Sequence, residues 1–254
     1  MNSIVQCNGI TQNPTNGNFM LVLDQYDTDL RNYLQQNHNQ LTWKKRIGII
    51  YEIILYIAWI HFENAIHRDL HSGNILYSQY NNYCRISDLG FCGPADKPSN
   101  SIYGNLPYVA PEVINGKNYT FASDIYSIAM LMWEISSGQP PFINYEHDFD
   151  LALSIINGIR PKIEPDTPLE YKSLMVQCWD ADQLKRPDVY TLKGKIKYIY
   201  LSYQNMPDEL FQSKINEVNN LKTNNTISSR LFTSKIHKFE NLPEPRNATE
   251  GIFT

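Results

Sequence analysis

The chain has 254 residues, a formal net charge of −4, and 42% hydrophobic and 12% aromatic residues, enough apolar material for one sizeable core or two smaller ones. The mild acidity leaves no basic footprint for nucleic acid, and the most apolar run, residues 53–60, is too short to span a bilayer, so no membrane association is expected. Cys7, Cys84, Cys92 and Cys178 lack zinc-ligand spacing, and the first residues carry neither a positive leader nor a long apolar core, so reduced thiols and a cytoplasmic location are expected.

In chain order, residues 3–10 and 18–24 read as two strands around the turn Asn13-Pro14-Thr15-Asn16-Gly17. Asp27-Thr28-Asp29 caps a short helix through Leu34, and Thr42 begins a long helix that leads to Ile66. His67-Arg68-Asp69-Leu70-His71-Ser72-Gly73-Asn74 follows, running into the short apolar strand of Ile75 and Leu76, and Asp88-Leu89-Gly90 stands fourteen residues beyond Asn74. Gly104-Asn105-Leu106-Pro107-Tyr108-Val109-Ala110-Pro111-Glu112 comes next. Then Ile125, Ile128, Ala129, Met132, Trp133 and Ile135 recur at helical spacing behind Asp124, up to Gly138 and Pro140-Pro141. Residues 151–158, 169–179 and 189–200 read as further helices. After about residue 203 the composition turns polar: 208–221 reads as a surface helix and 223–254 as a mostly disordered tail, with apolar islands at Leu231-Phe232 and Phe239.

A His-Arg-Asp triplet by itself is loosely compatible with small-molecule phosphotransferases as well. Taken with Asn74, Asp88-Leu89-Gly90, the Ala110-Pro111-Glu112 closing sequence, Asp124 and Lys185-Arg186-Pro187, the chain resembles the catalytic domain of the eukaryotic protein kinases, in particular the tyrosine-kinase-like group. The resemblance implies an α+β, protein-kinase-like fold: residual N-lobe strands and hinge over residues 1–26, a mostly helical C-lobe over 27–203, and a largely disordered C-terminal tail over 204–254. It implies ATP and Mg²⁺ as cofactors and a protein substrate, phosphorylated on Ser or Thr and alternatively on Tyr.

Roles follow from the same resemblance. Asp69 is the base that takes the acceptor hydroxyl's proton, with His67 and Arg68 beside it; Asn74 and Asp88 are the metal ligands; Leu23, Asp24, Gln25, Tyr26 and Leu76 line the adenine site. His67 packs under the Asp88 triplet. Arg68 faces a phosphate on the activation segment, residues 88–112, for which Ser99, Ser101 and Tyr103 are the candidates. Asp124 is expected to accept backbone N–H bonds from the catalytic loop, and Arg186 to pair with Glu112. His71 and Asn105 depart from the serine/threonine pattern, and His71 reads as a solvated loop histidine, with a helper role beside the base as the alternative. A glycine-rich phosphate cover, a strand lysine and a helix glutamate would precede the hinge in a complete kinase, whereas the first lysine here is Lys44 and the first glutamate Glu52. A lysine on phosphate oxygens is worth up to about 4 kcal/mol near a surface, roughly a thousandfold in rate. The expectation is therefore a chain lacking the front of its N-lobe, weak or inactive alone, with a protein partner over the open side. The alternative is a kinase-derived scaffold without catalysis.

Overall fold

A computed structural model describes residues 4–95, 102–205, 233–239 and 241–247. The proposed surface helix at 208–221 lies outside the described residues.

The chain opens with an antiparallel hairpin, β1 (Cys7–Gln12) and β2 (Phe19–Leu23), in which Gln12 pairs with Phe19. Its turn closes through Asn13 N–H to Asn18 O at 2.8 Å, with Gly17 at φ +73°, a left-handed conformation that glycine adopts without steric cost. The hairpin buries little: Phe19, Ile10 and Leu21 are 77%, 68% and 63% exposed. It joins the rest of the molecule just before β1, where Val5 N–H reaches Ile86 O at 3.0 Å.

The larger body begins at β3 (Thr28–Asp29), which pairs with β5 (Ile75–Ser78), itself paired with β6 (Tyr83–Ile86). Asp29 caps helix α1 (Leu30–Asn37) by accepting from Asn32 N–H, and Thr42 caps α2 (Trp43–Phe62) by accepting from Lys45 N–H, each satisfying a donor the first helical turn leaves open. Ile47, Ile50, Ile53, Ile54 and Ile57 of α2 are fully buried. The strand β4 (Ala65–Ile66) leads out of α2 into the His67–Asn74 loop and pairs with β7 (Gly93–Pro94). After β8 (Ile102–Gly104) and the one-turn α3 (Pro111–Ile114) comes α4 (Phe121–Ser137). Nearly every side chain of α4 is buried, as in a helix that runs through the centre of a domain. It starts at a Thr120/Ser123 capping box and stops at Gly138, φ +77°, where a Cβ would collide with the His38 ring. The helices α5 (Phe149–Ile156), α6 (Leu169–Cys178) and α7 (Val189–Gln204) close the body, with α7 packed along α2. No described helix is long and apolar enough to cross a membrane.

Part of the stretch expected to be disordered has a fixed place. Residues 235–237 form β9 (Lys235–His237), which pairs antiparallel with β8. Phe239 and Leu242 pack against the core, and Arg246 N–H reaches Ile156 O at 3.0 Å. The polar composition here hides a short strand that borrows its hydrogen bonds from the activation segment.

One buried ion pair ties the end of that segment to the body. Arg186 Nη1 and Nη2 donate to Glu112 Oε1 and Oε2, both at 2.7 Å, and Arg186 also donates to Asp180 O and Ala122 O. Breaking a buried pair strands a charge and costs about 3–5 kcal/mol. Arg186→Met should therefore lower stability by about that amount in urea unfolding, and the Glu112→Gln/Arg186→Met double variant should recover part of it.

Two histidines make the same fold sensitive to acid. Burial and the neighbouring Arg46 push His38 down to about 4, and burial with Lys235, His237 and Arg31 pushes His147 to about 4. Between the free-histidine value near 6.5 and about 4 the unfolded chain binds protons that the native state refuses, so these residues make stability fall as pH falls, by up to about 1.4 kcal/mol per pH unit each. Asp69 and Glu134, raised by burial, act in the opposite sense from the ordinary carboxylate range upward. His38→Gln should flatten the loss of urea stability between about pH 6.5 and pH 4.5 relative to the parent chain.

Candidate active site

The His67–Asn74 loop is shaped by one carboxylate. Asp124, in the first turn of α4 and 1% exposed, accepts from His67 N–H at 2.9 Å, from Arg68 N–H at 3.1 Å and from His61 Nε2 at 2.9 Å. These bonds hold Arg68 at φ +70°, a left-handed backbone that a non-glycine residue keeps only when its surroundings impose it. The kink turns the next residue, Asp69, inward, leaving it 3% exposed.

A second buried network holds the far end of the loop. Glu134 of α4 accepts from Ser72 Oγ and Tyr108 Oη, each at 2.7 Å, and its Oε1 lies 4.0 Å from Arg31 Nε. Ser72 opens the short 3-10 turn that ends at Asn74. Asn74 Nδ2 then donates to Asp69 O at 2.9 Å and to Asp69 Oδ2 at 3.3 Å, while Asn74 O accepts from Ser87 N–H and Oγ at 2.8 and 3.0 Å. Ser87 immediately precedes Asp88, which sits at φ +55° with its carboxylate accepting from Gly90 N–H at 3.3 Å. Thus Asp69 and Asn74 meet directly, and Ser87 ties Asn74 to the backbone at Asp88.

His67 is fully buried beneath this arrangement, and its Nδ1 accepts from Asp69 N–H at 3.3 Å. Burial pushes the His67 ring down, so it is neutral at pH 7 and serves as an acceptor. Arg68 directs Nη2 to Pro94 O at 3.0 Å, over the backbone of Gly93. Ser99 and Ser101 lie outside the described residues; Tyr103 lies in β8 with its ring stacked on Phe91.

His71 is not the solvated loop residue its sequence position suggests. It is 6% exposed, its Nδ1 accepts from Gly73 N–H at 3.1 Å, and its Nε2 lies 3.0 Å from Ser234 Oγ and 3.7 Å from Asp69 Oδ1. Burial, with Arg31 and His67 adding to it, pushes this ring well below the usual histidine range. Ser234 Oγ in turn donates to Asp69 Oδ1 at 2.7 Å. Asp69 is raised from the usual carboxylate value by burial, against the lowering pull of Ser234, His67 and Asn74.

The hinge stretch is less tightly built. Leu23 ends β2 at 45% exposure, Asp24 N–H bonds Gln6 O at 3.1 Å, its carboxylate accepts from Asn8, and Tyr26 meets Tyr83 edge-on at 6.2 Å. Leu76 lies in β5, two residues beyond Asn74 and paired with Arg85. No hydrogen bond links residues 23–26 to Asp69, Asn74 or Asp88.

Sequence reasoning passed over Glu134, Ser72, Tyr108 and Ser234. Glu134 did carry a signal, a lone carboxylate in the apolar run Met132-Trp133-Glu134-Ile135, since a charge on a buried helix must find partners. Ser234 carried none.

Comparisons with known proteins agree with this geometry. A family model described as protein tyrosine and serine/threonine kinase matches residues 1–196. A putative serine/threonine-protein kinase/receptor of Acanthamoeba polyphaga mimivirus is 34% identical over 165 residues, 63% of this chain and 10% of that protein. The dual specificity protein kinase zakA of Dictyostelium discoideum is 31% identical over 193 residues, 69% of this chain and 25% of that protein. The human dual serine/threonine and tyrosine protein kinase is 33% identical over 175 residues, 66% and 18% of the two chains. The matched region therefore spans a quarter or less of these relatives. With the family model matched over residues 1–196, the chain belongs to the protein tyrosine and serine/threonine kinase family.

Proposed function

We propose that this domain transfers the γ-phosphoryl group of ATP to serine or threonine hydroxyls of a protein. The observation that carries the reading is Asp69: a buried carboxylate, raised by desolvation, that already holds a serine hydroxyl at 2.7 Å through Oδ1. A carboxylate drawn out of water is a better base than one in water, and a base must lie within hydrogen-bond reach of the proton it takes. Asn74 and Asp88 offer hard oxygen donors, which suit Mg²⁺. The bond from Asn74 Nδ2 to Asp69 O turns Asn74 Oδ1 away from the base, where an ion could be met. When bound, Mg²⁺ supplies charge neutralisation on the phosphate oxygens; this chain's own residues orient the hydroxyl, receive its proton and hold the loop.

Leu23, Asp24, Gln25, Tyr26 and Leu76 are proposed to border the adenine, with Arg68 as the cation for a phosphate on the activation segment. The names of the relatives, serine/threonine and dual specificity kinases, support Ser and Thr as acceptors with Tyr as a further one. The exposed apolar side chains of the β1–β2 hairpin support a protein surface that covers this side of the domain.

Two substitutions separate the roles. Asp88→Asn should abolish the Mg²⁺-dependent rise in thermal stability that ATP produces, whereas Asp69→Asn should keep that rise and lower phosphoryl transfer by about 10²–10⁴-fold. An unchanged transfer rate in Asp69→Asn would refute the assignment of the base.

A further inference from the structure

We propose that Ser234 is an intramolecular phosphoacceptor: residues 233–239 lie in the protein-substrate groove as an added strand and present the Ser234 hydroxyl to Asp69. The inference rests on the phosphotransfer reading above and names its first substrate.

Four observations meet at this point. β9 pairs with β8 of the activation segment in a defined register, Ile102 with His237, Tyr103 with Ile236 and Gly104 with Lys235. Recognition of an extended peptide by strand addition takes affinity from the main chain and specificity from side-chain pockets. The side chains of this strand are anchored on alternate positions: Lys235 Nζ donates to His147 O at 3.1 Å, the buried His237 bonds Gly104 O through Nε2 at 3.0 Å, and Ile236 between them is 61% exposed. Phe239 then meets Phe149 edge-on at 6.2 Å and stacks with His237 at 5.5 Å. The register fixes where the residue before Lys235 must go, and that residue is Ser234.

The third observation is the geometry of the hydroxyl itself. His71 Nδ1 accepts from Gly73 N–H, so a neutral His71 ring carries its proton on Nε2 and donates it to Ser234 Oγ at 3.0 Å. Ser234 Oγ then donates its own proton to Asp69 Oδ1 at 2.7 Å. One oxygen thus receives a bond from a positioning residue and gives one to the base, leaving its remaining lone pair for the electrophile. The fourth is burial: Asp69 and His71 are 3% and 6% exposed, so the half-buried Ser234 bonds two groups drawn out of water.

The step balances with ATP as the co-reactant. Ser234 Oγ forms a bond to the γ-phosphorus as the bond from that phosphorus to the β,γ-bridging oxygen breaks; the bridging oxygen leaves on ADP with its electron pair, and the hydroxyl proton passes to Asp69 Oδ1. Once Asp69 has released that proton to solvent, a phosphate of nearly two negative charges lies against its carboxylate, and like-charge repulsion expels the segment and opens the groove to other acceptors.

The test uses the full chain with Mg-ATP, casein as an external acceptor, and phosphosite mapping by mass spectrometry. Ser234 should be the principal site, its first-order rate constant unchanged over a roughly tenfold dilution of the protein, and Asp69→Asn should lower it by at least about 100-fold. His71→Ala should slow Ser234 labelling about tenfold or more while the KM for ATP stays within about twofold, a split that a merely structural defect would not give. Phosphate on casein with Ser234 bare would overturn the inference and leave the kinase reading standing, and a rate constant that rises with protein concentration would overturn intramolecular presentation. Absence of label on both acceptors would overturn the kinase reading and the acceptor role together. In that case oxidation of a Tyr103→Cys/Ile236→Cys chain separates a docked plug, which forms the cross-link, from a segment that does not dock.

Discussion

The buried carboxylate of Asp124 is the constraint on which the site depends. It takes three hydrogen bonds from His61 and the backbone of His67 and Arg68, and bonds to a charged acceptor are worth about 1.5–3 kcal/mol each. Those bonds hold Arg68 in a left-handed conformation that costs energy by itself. The cost falls on the residue that aims Asp69. Local strain at the loop is thus supported by the rigid central helix, whose own position is set by burial on every side.

A second carboxylate on the same helix does the complementary task. Glu134, about 2.8 turns beyond Asp124 by helix geometry, gathers Ser72 and Tyr108. The catalytic loop is therefore held at its start by Asp124 and near its end by Glu134. Tyr108 belongs to the activation segment, so the Glu134 network couples that segment to the loop, and the bidentate Glu112–Arg186 pair fixes the segment's last turn. Three buried acids on α3 and α4 in this way position side chains far apart in the chain without touching a substrate.

Burial also sets the charge of the site. Burial keeps His67 and His71 uncharged and raises Asp69, so the site holds one buried carboxylate flanked by hydrogen-bonding groups rather than a field of opposing charges. A serine hydroxyl suits it because it can accept from His71 and donate to Asp69 at once.

Much of the architecture was legible in the residues alone. The Asp29 and Thr42 caps, the apolar spacing of α4 and its Gly138 stop, the hairpin around Gly17 and the closeness of Asp69 to Asn74 follow from short-range chemistry or from a spacing of a few residues, whereas the Asp124 and Arg186 partnerships, 57 and 74 positions apart, were legible only through the family resemblance. The environment of His71 and the place of the tail did not, because both depend on contacts across more than a hundred and sixty positions, such as Ser234 with Asp69 and His71. Low apolar content says that a segment cannot form a core of its own; it does not say whether a strand edge elsewhere will lend it hydrogen bonds. The sequence alone determined the hairpin, the main helices and which acids the loop carries, since capping, helical periodicity and loop spacing are local. Only the tertiary structure decided which hydroxyl meets Asp69, because that choice rests on the edge of β8 that pairs with β9.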